Sequence, residues 1–113
     1  MTKRNKFNAK KSFCVMGHKH DSRKEANRCD ELHELQALGG ISDLEVQPQF
    51  YFVIDGKQVK HDNGRRVGYR PDFYYVQDGA EIAEDVKGFV TSDFALRKSI
   101  FKALFPHVSL KIT

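Results

Sequence analysis

The amino-acid sequence predicts an α+β domain, a mixed central sheet flanked by helices, and three observations carry that expectation. A Ser22-Arg23-Lys24-Glu25 capping box precedes apolar residues at Ala26, Cys29, Leu32 and Leu35, which is helical spacing. The middle of the chain is rich in β-branched and aromatic residues and is cut by Asp55-Gly56 and Gln77-Asp78-Gly79, both hairpin signals. Near the end, Thr91-Ser92-Asp93 offers caps for a second helix; Val108, Leu110 and Ile112 then alternate with Ser109 and Lys111, as in a strand.

Taken in order, residues 1–12 are polar and basic with a single aromatic, and read as a flexible arm ahead of one domain over residues 13–113. Phe13 to Met16 reads as a short strand and His18 to Ser22 as a turn into the first helix, which Gly39-Gly40 terminates. Leu44 to Ile54 reads as a strand that Asp55-Gly56 reverses into Lys57 to His61. After the Asp62-Asn63-Gly64 turn, Arg66 to Val76 reads as one strand and Ala80 to Lys87 as its partner. The second helix runs through Phe105, where Pro106 stops it. No internal repeat, low-complexity tract or interdomain linker is visible.

The 113 residues contain 19 Lys plus Arg against 15 Asp plus Glu, a formal charge of +4, and are 40% hydrophobic. One domain fits this length, and nine Phe with four Tyr supply enough apolar surface to exclude a disordered chain. No apolar run approaches the roughly 20 residues that span a bilayer. The basic start lacks the apolar stretch of a secretory signal. Two cysteines do not make a disulfide framework, so a reducing cytoplasm is expected. The charge is unevenly placed. Lys3, Arg4, Lys6, Lys10 and Lys11 give the arm +5, while residues 57–71 carry +4, residues 72–93 carry −5 and residues 94–113 carry +4. An acidic centre between basic segments suits a protein that holds a cation and binds a polyanion; a mixed, solvated surface is the plainer alternative.

Three features ask for chemistry. At about 100° per residue, Ala26, Cys29, Leu32 and Leu35 fall on either side of Glu25, which places its carboxylate in the middle of the apolar stripe. Such a group must be paired, capped or bound, and folding back onto Ser22 in the capping box is one way. In Tyr69-Arg70-Pro71-Asp72-Phe73, Asp72 interrupts a strand-forming run next to a proline that cannot donate to a ladder. That marks a sheet margin or a bulge, or a surface turn. In Glu84-Asp85-Val86-Lys87-Gly88, alternation places Asp85 and Lys87 on one strand face, where they can address one phosphate or form an exposed ion pair.

Together these features form a pattern: a helical Glu25, then Pro71-Asp72, then Asp85-Val86-Lys87, the last two joined by a hairpin. In this the sequence resembles the PD-(D/E)XK nuclease superfamily, over roughly residues 13–113, and the inferred α, β, β, β, α, β order matches that superfamily's restriction-endonuclease-like core. The phrases Gly40-Ile41-Ser42-Asp43-Leu44-Glu45-Val46-Gln47-Pro48 and Glu84-Asp85-Val86-Lys87-Gly88 carry a closer similarity to a small phage and prophage family of uncharacterised function.

The resemblance implies a metal-dependent endonuclease that hydrolyses DNA phosphodiester bonds. Catalytic residues would be Glu25, Asp72, Asp85 and Lys87. The carboxylates of Asp72, Asp85 and Glu25, with the backbone carbonyl of Val86, would hold Mg²⁺ or Mn²⁺. Lys87 would orient the attacking water or neutralise developing charge. Arg65, Arg66, Arg70, Arg97, Lys98 and Lys102, with the arm lysines and Arg4, would contact phosphates. Small phage members of the superfamily often resolve Holliday junctions, so branched DNA in recombination is the implied substrate. A homodimer would serve symmetric cutting, and the compartment would be the bacterial host cytoplasm.

Two other readings stand beside this one. Cys14, His18, His20, Cys29 and His33 have ligand chemistry suited to structural zinc, with Cys29 and His33 one helical turn apart. Yet Cys29 also fits the core stripe and no Cys-x₂-Cys knuckle is present, so a buried cysteine with surface histidines is the expectation. A non-catalytic nucleic-acid-binding module on a nuclease scaffold is the other reading. In it Phe50, Tyr51, Phe52, Tyr74 and Tyr75 would stack bases, although their alternation is more simply that of sheet faces packed under helices.

Overall fold

A computed structural model describes residues 12–86 and 91–113. The chain opens with a small hairpin, β1 (Ser12–Phe13) against β2 (Lys19–His20), where Ser12 faces His20. Ser12, which composition places in the arm, is thus the first strand residue, and part of the expected turn at residues 18–22 is β2. Helix α1 (Arg23–Ala37) follows, with the Ser22 hydroxyl accepting from the Glu25 N–H at 3.1 Å. Half of the capping box forms as the sequence suggests; the Glu25 side chain goes elsewhere.

The expected long strand over 44–54 is broken into β3 (Ser42–Val46), β4 (Phe50–Tyr51) and β5 (Val53–Ile54). The break falls at Gln47-Pro48, where Gln47 adopts φ +53° and Pro48 has no N–H for a ladder. Strand β6 (Lys57–Gln58) returns from β5 through Asp55-Gly56, both at positive φ as a primed hairpin turn requires. The expected strand over 66–76 is likewise split, into β7 (Gly68–Tyr69) and β8 (Phe73–Gln77), with Pro71 at the break. Strand β9 (Ala80–Asp85) completes a tight hairpin with β8 through Asp78-Gly79. Helix α2 (Ser92–Leu104), capped by Thr91, leads to β10 (Val108–Ile112).

The central sheet has the order β10-β9-β8-β3. Strands β3, β8 and β9 are antiparallel neighbours, and β10 joins β9 in parallel, which the intervening α2 crossover makes possible. The element order around this sheet, α1-β3-β8-β9-α2-β10, is the expected one, and the molecule is α+β with a mixed sheet. Among the described residues no helix is long and apolar enough to cross a membrane.

Strand alternation sorts the apolar side chains into two cores. Phe73, Tyr75 and Val86 pack with Ala26, Cys29 and Leu32 of α1. Tyr69, Ala83 and Phe52 pack with Phe101 of α2 and Val108. Of the five aromatics considered as a base-stacking platform, Phe52 and Tyr75 are fully buried and Phe50 packs edge-on against Phe101, with Tyr74 beside it. Only Tyr51 of the five is exposed. Packing accounts for the other four.

The β4–β7 pair depends on one glycine. A Cβ on Gly68 would lie 2.2 Å from the Phe50 carbonyl oxygen and 2.9 Å from the Tyr51 Cα, both backbone atoms with little room to move. Gly68→Ala is therefore expected to cost about 1–3 kcal/mol by overpacking, measured as a lowered urea midpoint. An unchanged midpoint would mean that β4 and β7 are not paired in solution.

Candidate functional site

The β8–β9 register determines the centre of the site. Phe73 pairs with Glu84, so one further step places Asp72 opposite Asp85. Asp85 is 1% exposed, and β9 lies between β8 and β10 rather than at an edge. The exposed ion pair that the sequence also allowed for Asp85 is therefore ruled out on the Asp85 side. Asp72 Oδ2 accepts from the Val86 N–H at 2.7 Å, and the Tyr69 hydroxyl donates to Asp85 Oδ2. Burial, then Asp85, then the charge of Glu25 hold the Asp72 carboxyl well above the usual carboxylate range. Two facing carboxyl groups in a desolvated site form a hard-oxygen pair suited to a divalent cation, which would favour the charged state.

Beside the pair, between α2 and the β4–β7 ribbon, lies an open groove of about 750 Å³. Arg65, Arg66, Arg70 and Arg97 line it with His61, and Asp93 is its one acid. Arg66 stacks over the Tyr51 ring at 4.1 Å. Arg97 is fixed by the Gly68 carbonyl at 2.6 Å and Asp93 at 2.9 Å. Four of the arginines expected to contact phosphates thus share one surface. Lys98 and Lys102 do not line it; the Lys98 ammonium sits 5.7 Å from the Phe94 ring centroid. Lys87 and the arm residues Lys3, Arg4, Lys6, Lys10 and Lys11 lie outside the described residues.

Glu25 is buried, as its position on α1 predicts, but its Oε2 is engaged by His20 Nδ1 at 2.5 Å and by Gln47 Nε2 at 3.3 Å. It reaches the Asp72–Asp85 pair through its charge. The partner it chooses belongs to a second cluster. Cys14, His18, His20 and Cys29 converge so that one ligand atom from each lies within 4.8 Å of the others, a group able to hold a metal ion such as zinc. The expectation of surface histidines is corrected here: His20 is 0% exposed. The hairpin β1–β2 folds Cys14 and His20 onto the same face of α1 that carries Cys29. His33, the fifth residue of the series, is not in the group; its Nδ1 donates to the Cys29 carbonyl at 2.8 Å, and its ring stacks on His18.

Three participants were not singled out from the sequence. Tyr69 stands in the aromatic run before Pro71, but only the fold shows its hydroxyl on Asp85, where burial and that carboxylate push the phenol pKa up. Gln47 ties Glu25 to the site, its own N–H donating to the Asp72 carbonyl at 2.8 Å. Glu84, on the opposite face of β9 from Asp85, is fully buried and held by Arg28 at 2.6 and 3.0 Å and by the Tyr75 hydroxyl at 2.6 Å. Alternation along β9 places these adjacent acids in different environments, one in an ion pair and one at the carboxylate pair.

Comparison with curated proteins gives no match, and neither does comparison with solved structures. A family model does match, over residues 4–113, and it covers both the carboxylate pair and the Cys/His cluster. The chain belongs to the family described as "Protein of unknown function (DUF1064)".

Proposed function

We propose that this protein is a metal-dependent nuclease acting on DNA, with Asp72 and Asp85 as the ligands of a Mg²⁺ or Mn²⁺ ion. The observation that carries the reading is two facing carboxylates, the buried Asp85 at the end of β9 and the half-buried Asp72 opposite it just before β8, beside an arginine-lined groove. The α-β-β-β-α-β order and the Pro71-Asp72 and Asp85-Val86-Lys87 motifs support it. A Mg²⁺ ion bound there supplies Lewis acidity toward a phosphodiester and lowers the pKa of a bound water. The chain's own residues do the rest. Tyr69 and the Val86 N–H hold the two carboxylates in place. Arg65, Arg66 and Arg70 bind phosphates flanking the scissile bond, and Lys87 neutralises charge developing on it. Glu25, held by His20 and Gln47, acts on the pair through its field.

The test is a Mg²⁺- or Mn²⁺-dependent cleavage assay on linear, single-stranded, flapped and four-way DNA, with Asp85→Ala as control. Preference for the four-way substrate would extend the reading to junction resolution in recombination, with a homodimer making paired cuts. A protein that binds DNA equally with and without Mg²⁺ and never cuts it is a binding module instead. Phosphate contacts in the groove have their own signature. Arg66→Ala and Arg70→Ala are each expected to weaken binding to all substrates alike. Each should also lower the slope of log K against log salt by about 1. An unchanged slope would remove those side chains from the interface.

A further inference from the structure

We infer that Cys14, His18, His20 and Cys29 bind one Zn²⁺ ion tetrahedrally, and that Glu25 is the positioning residue for His20 in that site. These four ligands are distinct from Asp72 and Asp85, so zinc can bind here whether or not the protein cleaves DNA. Cys14 Sγ and Cys29 Sγ are 3.3 Å apart, and His18 Nδ1 is 3.5 Å from the first and 3.6 Å from the second. Zn–S bonds of about 2.3 Å and Zn–N bonds of about 2.0 Å at tetrahedral angles give ligand–ligand edges of roughly 3.5–3.8 Å. The three atoms already stand close to those edges.

The fourth ligand carries an independent indication. His20 is completely buried, and its Nε2 has no hydrogen-bond partner. Its other nitrogen, Nδ1, lies 2.5 Å from the Glu25 carboxylate. A carboxylate accepts only, so Nδ1 carries a proton, and in the neutral ring Nε2 then presents a lone pair to a metal. A histidine whose second nitrogen donates to a carboxylate is the usual arrangement behind a zinc ligand, since it fixes the tautomer and ring orientation and raises ligand basicity. An unpartnered buried imidazole nitrogen is costly, and a cation at the centre of the cluster removes that cost. The ion would clamp the β1–β2 hairpin, which has only two residues in each strand, onto α1. Such a short hairpin is marginal without added support.

The experiment uses the full chain purified without chelator. The expected results are one zinc per chain by elemental analysis, with both thiols protected from alkylation until a chelator is added. Co²⁺ substitution should give thiolate-to-metal charge-transfer bands, which ions bound at the Asp72–Asp85 carboxylates cannot produce. Glu25→Gln should retain the site with affinity weakened about 10- to 100-fold, read by competition with a chromophoric chelator. His33→Ala should keep stoichiometric zinc, and Cys29→Ser should lose it. Because Cys29→Ser risks unfolding, thiol protection in the unaltered chain stands as the variant-free measurement. A chain that takes up no zinc on reconstitution, cobalt spectra without thiolate bands, or a Cys14–Cys29 disulfide in the purified protein would each overturn the assignment. Unchanged zinc affinity in Glu25→Gln would overturn the role given to Glu25.

Discussion

Asp85→Ala is expected to reduce Mg²⁺-dependent DNA cleavage by at least about 10³-fold, equivalent to about 4 kcal/mol of transition-state stabilisation. The substitution also takes the acceptor from the buried Tyr69 hydroxyl, so it lowers stability as well. Asp72→Asn separates the two effects more cleanly. The amide oxygen can still accept from the Val86 N–H, while the carboxylate that a cation needs is gone. Asp72 has its folded-state pKa raised, first by burial and then by Asp85. A carboxyl of this kind favours the native state fully below its unfolded pKa of about 4 and loses that advantage as pH rises through the raised value. In the absence of added divalent ions, the parent should therefore lose stability relative to Asp72→Asn as pH is raised from 5 to 8. Added Mg²⁺ should close the gap, since it favours the charged form. If both proteins show the same profile, the two carboxylates do not interact as described.

The largest loss of stability is expected at Arg28, which does not line the groove. Its guanidinium makes two bonds to Glu84, a carboxylate with 0% exposure, and removing it leaves that charge buried with Tyr75 and Thr113 as its hydrogen-bond partners among the described residues. Breaking a buried pair in this way costs about 3 kcal/mol or more. For a domain of this size that lowers the melting temperature by roughly 12 °C. Glu84→Gln in the Arg28→Ala background should recover part of the loss, since the uncompensated charge goes with it. The pH dependence has the opposite sign to that of Asp72. Burial acts to raise the Glu84 pKa, but the hydrogen bonds from Arg28 and Tyr75 outweigh it and hold it below the usual range. Its contribution is present above the unfolded pKa of about 4 and is lost as pH falls through the folded value. Arg28→Ala should therefore show a weaker acid-side loss than the parent. A melting temperature within 3 °C of the parent would mean that the pair is solvated rather than buried.

Much of the fold was readable because its signals are local. Ser22 and Thr91 cap helices, Asp55-Gly56 and Asp78-Gly79 make primed turns, and Val108 to Ile112 alternates, each for reasons contained within a few residues. The strand breaks at Gln47-Pro48 and Pro71 were harder to read. β-propensity marks a run as extended without saying which partner each part pairs with, and here β4 and β7 leave the central sheet to form their own ribbon.

The candidate residues divide in the same way. Chemistry and periodicity alone placed Glu25 on the buried face of a helix, and Asp72 and Asp85 on either side of a hairpin turn. They also marked Cys14, His18, His20 and Cys29 as groups with ligand atoms. Which of these touch depended on the packing of distant elements. The β8–β9 register brought Asp72 to Asp85, and the folding of β1–β2 onto α1 gave the Glu25 carboxylate to His20 rather than to its own helix end. A helical period specifies the face a side chain uses, and an alternating strand the side of the sheet. The neighbour waiting there is supplied by chain far away in sequence, so it is settled only when the elements pack.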